Sequence, residues 1–356
     1  MKKRIVVAMS GGVDSSVAAA LLKEEGYEVI GMTMCFNLAD SMRKRPACCG
    51  VQGIEDARRV AHKLGIKHYV LNMQKLLEEK VIKDFSKEYA LGRTPNPCIR
   101  CNQYLKFDIL LKKALALDAN FLTTGHYARI VVSRQSSVVS KKYLLKKAKD
   151  KNKDQSYFLY RLNQGQLKHI LFPLGNYTKD EVRILARKFA LPVAEKLASQ
   201  EICFLPDENY RQFLKNRIRI RPGEIVNKEG NLLGAHKGIA CYTIGQRSGL
   251  GIAKGYPIYI TKINPKNNQI TVGRKEEALK KEFLVKAAHF IANTIKKKVA
   301  LKVKIRYNHK ETLAEVLPLG DKLKVKFKEQ QFAITPGQAA VFYDKDTVVG
   351  GGIIDV

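Results

Sequence analysis

The chain has 356 residues, 45% of them hydrophobic, and a formal charge of +31. That length allows two or three packed domains, while no run approaches the roughly 18 apolar residues of a membrane-spanning helix, so a membrane partner is not expected. Basic residues outnumber acidic ones 64 to 33, with the excess spread over both halves, and a polyanion, nucleic acid first, is the expected partner through counterion release. The start, MKKRIVVAMSGG, has the basic residues and short apolar run of a signal peptide. The run ends in a Gly-rich turn without a cleavage region, so it reads as a first strand of a cytoplasmic protein. Seven cysteines, at 35, 48, 49, 98, 101, 203 and 241, are too few for a disulfide scaffold and read as reduced thiols, some reactive or metal-binding.

In chain order, Arg4–Met9 is a predicted buried strand, Ser15–Glu25 a helix, Glu28–Phe36 a strand and Ile54–Leu64 an amphipathic helix with Ala57, Val60, Ala61 and Leu64 on one face. His68–Leu71 is a third strand, Leu76–Tyr89 and Tyr104–Ala116 are helices, and Asn120–Thr124 is a fourth strand ending at Gly125. This alternation predicts an α/β doubly wound parallel sheet that binds ligand beyond the carboxyl ends of its strands. Ser133–Lys153 reads as a polar hairpin with a strand at Lys142–Lys147, and the helix Lys179–Ala190 and the segment Asp207–Asn216 close the first domain. From Arg221 the texture changes to short β-branched runs separated by turns, including Val299–Tyr307, Lys322–Phe327 and Ala339–Tyr343. The predicted layout is a first domain over 1–216, a small β-rich central domain over 217–280 and a C-terminal β-barrel over 281–356. Arg217, Arg219 and Arg221 are better suited than the lysine runs to bidentate phosphate contacts.

Three stretches carry chemistry. In AMSGGVDSS, Ala8 to Ser16, a Gly-rich turn joins a strand to a helix, where backbone N–H groups and the helix dipole favour an anion. Its SGGxDS core resembles the loop of pyrophosphate-releasing ATPases, which split ATP to AMP, and lacks the Gly-Lys-Ser/Thr ending of a γ-phosphate loop. In GRTPNPCIRCN, Gly92 to Asn102, two prolines stiffen the chain and present Cys98 and Cys101 at the mouth of the next helix. A helix N-terminus biases a thiol towards nucleophilic thiolate. In SQEICFLP, Cys203 sits between apolar Ile202 and Phe204 and locally reads as core.

These stretches, with IEDARRVAHKLGIKHYVLN, LTTGHYARI, KDQSYFLY, YTIGQRSGLGI and ITPGQAAVFY, resemble in order and over nearly the whole chain the tRNA-specific 2-thiouridylases. Those enzymes place sulfur on C2 of the wobble uridine. The resemblance implies an adenine nucleotide α-hydrolase-like first domain, ATP with Mg²⁺ as cofactor, tRNA and a persulfide sulfur-donor protein as partners, and a monomer. It assigns ATP to Ala8, Met9, Ser10, Gly11, Gly12, Val13, Asp14, Ser15, Met34 and Gly125. Cys203 would receive the persulfide sulfur, and Cys101 would help release it, closing a disulfide with Cys203. Asn96, Pro97 and Cys98 would surround the flipped target base, and His126, Lys153, Asp154, Gln155, Arg306, Tyr307 and Gln338 would meet tRNA.

Many members of that family carry Asp where this chain has Cys98, which leaves the acid–base step to the thiol, to water or to the adenylate. C-x-x-C spacing also suits an iron–sulfur cluster on Cys98, Cys101 and Cys203, or a zinc site adding Cys48 and Cys49 to Cys98 and Cys101. His126 and Met34 have competing readings as core residues. Two other functions stay open: a different pyrophosphate-loop adenylating enzyme, and a non-catalytic RNA-binding protein.

Overall fold

The computed structural model describes residues 2–36, 50–133, 141–197, 202–205 and 209–355. The chain divides into two units. The first unit comprises 1–81, 98–208 and 346–348, and the second 82–97, 209–345 and 349–356.

In the first unit, β1 (Arg4–Ala8) is followed by α1 (Val13–Glu24), β2 (Glu28–Cys35), α2 (Val51–Leu64) and β3 (Lys67–Asn72). β4 is Phe121–Thr123, the expected strand at β6 (Lys142–Lys146) pairs with an unexpected one, β5 (Arg129–Ser133), and β7 is Ile170–Leu171. The parallel sheet has the order β3-β2-β1-β4-β7. Ile5, Val6 and Val7 of β1 are wholly buried, as expected for a central strand covered on both faces. The small side chains Ala18, Ala19 and Ala20 bury α1 on nearly every side, and Gly65 ends α2 in the left-handed conformation. The chain steps from β1 to β2 and β3 on one side and returns to β4 on the other. The carboxyl ends of β1 and β4 therefore flank the topological switch point, where such sheets bind ligands.

The largest local departure from the sequence reading concerns the helix expected at Tyr104–Ala116. It begins at Pro97, runs through Arg100, continues as a wide π-type segment over Cys101–Leu110 and ends as an ordinary helix over Leu111–Leu115. Proline is tolerated in the first turn because its missing N–H would have no intrahelical acceptor there. Cys98 and Cys101 consequently lie within helical turns. The helix expected over Leu76–Tyr89 likewise carries a π-type stretch, Glu78–Ile82.

In the second unit, β8 (Gly223–Val226), β9 (Leu232–His236), β10 (Tyr259–Asn264) and β11 (Gln269–Gly273) form a sheet of order β10-β11-β8-β9. Ile225, Tyr242, Leu250, Ile260 and Ile270 are in its core. The helix Tyr210–Lys215, read from sequence as closing the first domain, packs here instead. The Tyr210 ring stacks on Tyr89 at 5.1 Å, and its hydroxyl donates to the Cys241 carbonyl at 2.9 Å. The last strands are β12 (Leu279–Phe290), β13 (Val299–Lys304), β14 (Thr312–Leu319), β15 (Lys322–Phe332), β16 (Ala339–Asp344) and β17 (Thr347–Asp355). They run β12-β15-β14-β13-β16-β17, and pairing of β12 with β17 closes the barrel. Alternation along β14 sends Ala314 and Val316 inward beside Val325 and Phe327, with Glu315 and Leu317 outward.

Candidate active site

The turn after β1 is held by its own short side chains. Ser15 Oγ accepts from the Ser10 N–H at 3.2 Å and donates to the Gly12 carbonyl at 3.2 Å, while Ser16 Oγ donates to that carbonyl at 2.8 Å. Gly12 caps α1 without any side-chain hydrogen bond, and Ser16 N–H is the amide that returns to Gly12. The amides before Ser16 thus have no acceptor within the helix and are available to an anion at the positive end of the dipole.

Two glycines are required by space. Gly11 has φ +70°, and a Cβ there would collide with the carbonyl of Gly53 on α2. At Gly125, just past β4, a Cβ would stand 2.7 Å from Ser15 N and 2.8 Å from the Asp14 carbonyl carbon. Any side chain at Gly125 would therefore cover an anion-facing amide. Met9 and Met34 are buried, with 2% and 8% exposure, so their side chains belong to the sheet core.

Around this turn stand groups that the sequence did not single out. Asp14 Oδ1 accepts from the Tyr127 hydroxyl at 2.8 Å and from Lys179 Nζ at 2.5 Å. Burial and the neighbouring Asp14 carboxylate push the Tyr127 hydroxyl far above its ordinary pKa, so it remains a proton donor. Lys179 is the first residue of a helix capped by Thr178 and Glu181, whose side chains bond reciprocally to the backbone. Lys196 Nζ donates to the Gly11 carbonyl at 3.0 Å and to buried Asp56 Oδ2 at 2.5 Å. Burial alone would raise the Asp56 pKa, but its bonds to Lys196, Arg59 and Gln52 outweigh that and hold it below the usual value. Tyr127 and Lys179 lie in quoted or predicted stretches, but nothing local marks them as partners of Asp14.

Three thiols share one electrostatic field. Cys101 is buried, Cys203 half-buried and Cys98 open to solvent. Loss of hydration pushes Cys101 up to about 12, aided by Cys203 and Cys98 and opposed by Lys106. The protein around Cys98 pushes its thiol up to about 11, again with a contribution from Cys203 and opposition from Lys106. The helix-mouth expectation of lowered pKa values is therefore overturned: desolvation of the thiolate and like charges exceed the pull of one lysine. Among the described residues no three His, Cys, Asp or Glu side chains converge to hold a metal. Cys98, Cys101 and Cys203 thus do not fit an iron–sulfur cluster as arranged, and Cys48 and Cys49 of the zinc alternative lie outside the described residues.

The residues assigned to tRNA fall into different environments. His126 is buried against Phe107 and Phe172, and its Nδ1 shares a 2.6 Å hydrogen bond with Thr124 Oγ1. Burial pushes its pKa well below the ordinary value, so the ring is neutral and packed among aromatic side chains. The Asp154 carboxylate is also enclosed, accepting from Ala148 N–H, Ser156 N–H and Ser156 Oγ. Gln155 clamps Tyr127 by accepting from its N–H at 3.1 Å and donating its own N–H to the Tyr127 carbonyl at 2.8 Å. Asp154 and Gln155 thus shape their loop, beside half-buried Lys153. In the second unit Arg306 and Tyr307 occupy the turn after β13, with Lys304 Nζ 5.3 Å from the Tyr307 ring centroid. Gln338 Nε2 donates to the Thr94 carbonyl at 2.8 Å, anchoring the stretch of chain that leads to half-buried Asn96 and buried Pro97.

A parallel sheet with an anion-ready turn at its switch point defines a nucleotide-binding domain, here accompanied by a thiol cluster. The family models agree with that class: a tRNA methyl transferase HUP domain matches residues 3–207, a tRNA methyl transferase PRC-barrel domain 211–274 and an aminomethyltransferase β-barrel domain 280–354. The tRNA-specific 2-thiouridylase MnmA 1 of Caldanaerobacter subterraneus subsp. tengcongensis is 50% identical over 100% of this chain and 98% of its own length. The corresponding MnmA proteins of Halothermothrix orenii and Clostridium acetobutylicum are 50% and 48% identical, each over 99% of this chain and over 98% and 100% of their own lengths. The chain belongs to the tRNA-specific 2-thiouridylase family.

Proposed function

We propose that this chain is a tRNA-uridine 2-sulfurtransferase that uses ATP to replace the C2 oxygen of the wobble uridine by sulfur. The carrying observation is the coexistence, in one folding unit, of an anion-ready turn and three electrostatically coupled thiols. In the first step the C2 oxygen attacks the α-phosphorus of ATP, forming an adenylate and releasing pyrophosphate. The amides ahead of Ser16 stabilise the charge growing on the departing phosphates. Asp14, the only carboxylate in the turn, is committed to Tyr127 and Lys179, so Mg²⁺ accompanying ATP would be held by phosphate oxygens.

In the second step the terminal sulfur of a persulfide on Cys203, supplied by a donor protein, attacks C2, and AMP leaves with the C2–O bond's electrons. The base is then joined to Cys203 through a disulfide. Cys101 attacks the Cys203 sulfur, a Cys101–Cys203 disulfide forms, and the freed sulfur remains on C2 as the thiocarbonyl. A thiol reductant resets the pair with two electrons. Cys101 must lose its proton to attack, and with its pKa near 12 this deprotonation is the step most sensitive to pH. Cys98, protonated near neutrality with a pKa near 11, is suited to donate a proton rather than accept one. An unpaired wobble base reaches such a site at little unstacking cost.

We assign adenylation to the first region up to residue 208, the central β-rich part to 209–280 and tRNA binding to the barrel over 281–356, with Lys153, Arg306 and Tyr307 as contacts. No described helix is long and apolar enough to cross a membrane, and a cytoplasmic site of action follows from the tRNA substrate. The test is mass spectrometry of tRNA nucleosides after reaction with ATP and a persulfide donor. Wild type should form 2-thiouridine, and Cys101→Ser and Cys203→Ser should form none. Full product formation by both variants would contradict the mechanism, and AMP formation without thiolation would favour a different adenylating enzyme.

A further inference from the structure

We propose that Lys196 is the positioning residue of the phosphate turn, setting the orientation of the Gly11–Gly12 peptide so that its amide faces the pyrophosphate of ATP. The inference rests on the ATP-dependent reading above and assigns a role to a side chain outside the turn. Lys196 Nζ reaches the Gly11 carbonyl at 3.0 Å and Asp56 Oδ2 at 2.5 Å. A trans peptide is planar, with C=O and N–H pointing in opposite directions. Fixing the Gly11 carbonyl on Lys196 therefore turns the Gly12 N–H to the opposite side. Nothing within the turn itself grips the Gly11 carbonyl, and glycine on both sides of this peptide leaves it prone to flip.

Asp56 is well placed to hold the lysine. Its side chain is 4% exposed and also engages Arg59 and Gln52, so its charge has a cationic partner without Lys196. The lysine's second contact, to the turn, is then the one without a substitute. Gly11 also packs directly on this anchor: a Cβ there would approach Asp56 Cβ to 3.0 Å as well as striking Gly53. Helix α2 thus supplies both a wall against Gly11 and, through Asp56, the seat of the ammonium.

The experiment measures inorganic pyrophosphate binding by calorimetry on the full-length protein, with KM for ATP and kcat for tRNA thiolation measured in parallel. Lys196→Met should weaken pyrophosphate binding and raise KM for ATP by about tenfold or more, the range expected for losing a charged hydrogen bond. The change in kcat at saturating ATP should be much smaller. Lys196→Arg should recover part of the affinity, and Asp56→Asn should shift it in the same direction as Lys196→Met but less. All titrations are run below each variant's Tm. Pyrophosphate affinity within about twofold of wild type in Lys196→Met, with or without a lower Tm, would overturn the proposal, because that difference is below a single hydrogen bond's contribution. Absence of 2-thiouridine with wild-type protein would instead count against the functional reading, and pyrophosphate binding would still decide the role of Lys196.

Discussion

The phosphate turn and the thiol cluster differ in what builds them. The turn is made of backbone amides, and its shape is dictated by residues that are missing side chains or have short ones, so it is written locally in SGGVDSS. The cluster is made of side chains whose reactivity depends on burial and on each other across more than a hundred residues of sequence. Its members could be named from the chain, but their protonation could not. Placing Cys98 and Cys101 at a helix mouth predicted lowered pKa values, whereas burial of Cys101, the protein packed around Cys98, and Cys203 raise both.

The sharpest probe of the backbone-built half is Gly125. Gly125→Val should reduce kcat/KM for ATP on the order of 100-fold, since its Cβ would press on Ser15 N and an amide hidden from a charged ligand loses a charge-assisted bond and its desolvation. A value within a few-fold of wild type would show that the turn can yield there. Gly11→Ala should lower stability by about 3 kcal/mol, read from urea unfolding, because a left-handed φ and a backbone collision add.

For the side-chain half, the rate of Cys101 alkylation by iodoacetamide should climb about tenfold per pH unit from neutrality to pH 9, as thiolate fraction does well below a pKa. Mass spectrometry of the alkylated peptide reads it, and a plateau near pH 7 would restore the helix-mouth picture. Cys98→Asp, which replaces the thiol by a carboxyl group, should retain thiolation but move its pH–rate profile towards lower pH, because a carboxylate ionises far below a thiol. An unchanged profile would remove Cys98 from the proton chemistry.

The smallest expected effect is on stability. Burial lowers the pKa of His126 from 6.5 in the fold, so between the two values the unfolded chain binds more protons. Stability from His126 is present above about 6.5 and declines as pH falls below it. Tm should therefore drop between pH 7 and 5, and His126→Gln should flatten part of that decline in a calorimetric series. His68, His236 and His309 are shifted the same way, so a residual slope remains.

How far the chain could be read follows the same division. Strand and helix order in the first unit was legible because each element carries its own periodicity, as in Ala57, Val60, Ala61 and Leu64 of α2. The π-type turns from Cys101 onward were not, because nothing in the local pattern separates a wide turn from an ordinary one. Lys196 was invisible for a stronger reason: its partner Asp56 is 140 residues away. His126 was read as a site residue from its place just past a strand end and from the resemblance; the rings packed against it, Phe107 and Phe172, come from distant elements and could not be read locally.

The central claim joins the two halves: ATP activation at the turn and sulfur release at the thiols are one reaction. A single turnover without reductant, using protein loaded with persulfide on Cys203, ATP and tRNA, tests it most directly. The account predicts equal molar yields of AMP, 2-thiouridine and a Cys101–Cys203 disulfide. AMP or 2-thiouridine produced in excess of that disulfide would contradict it.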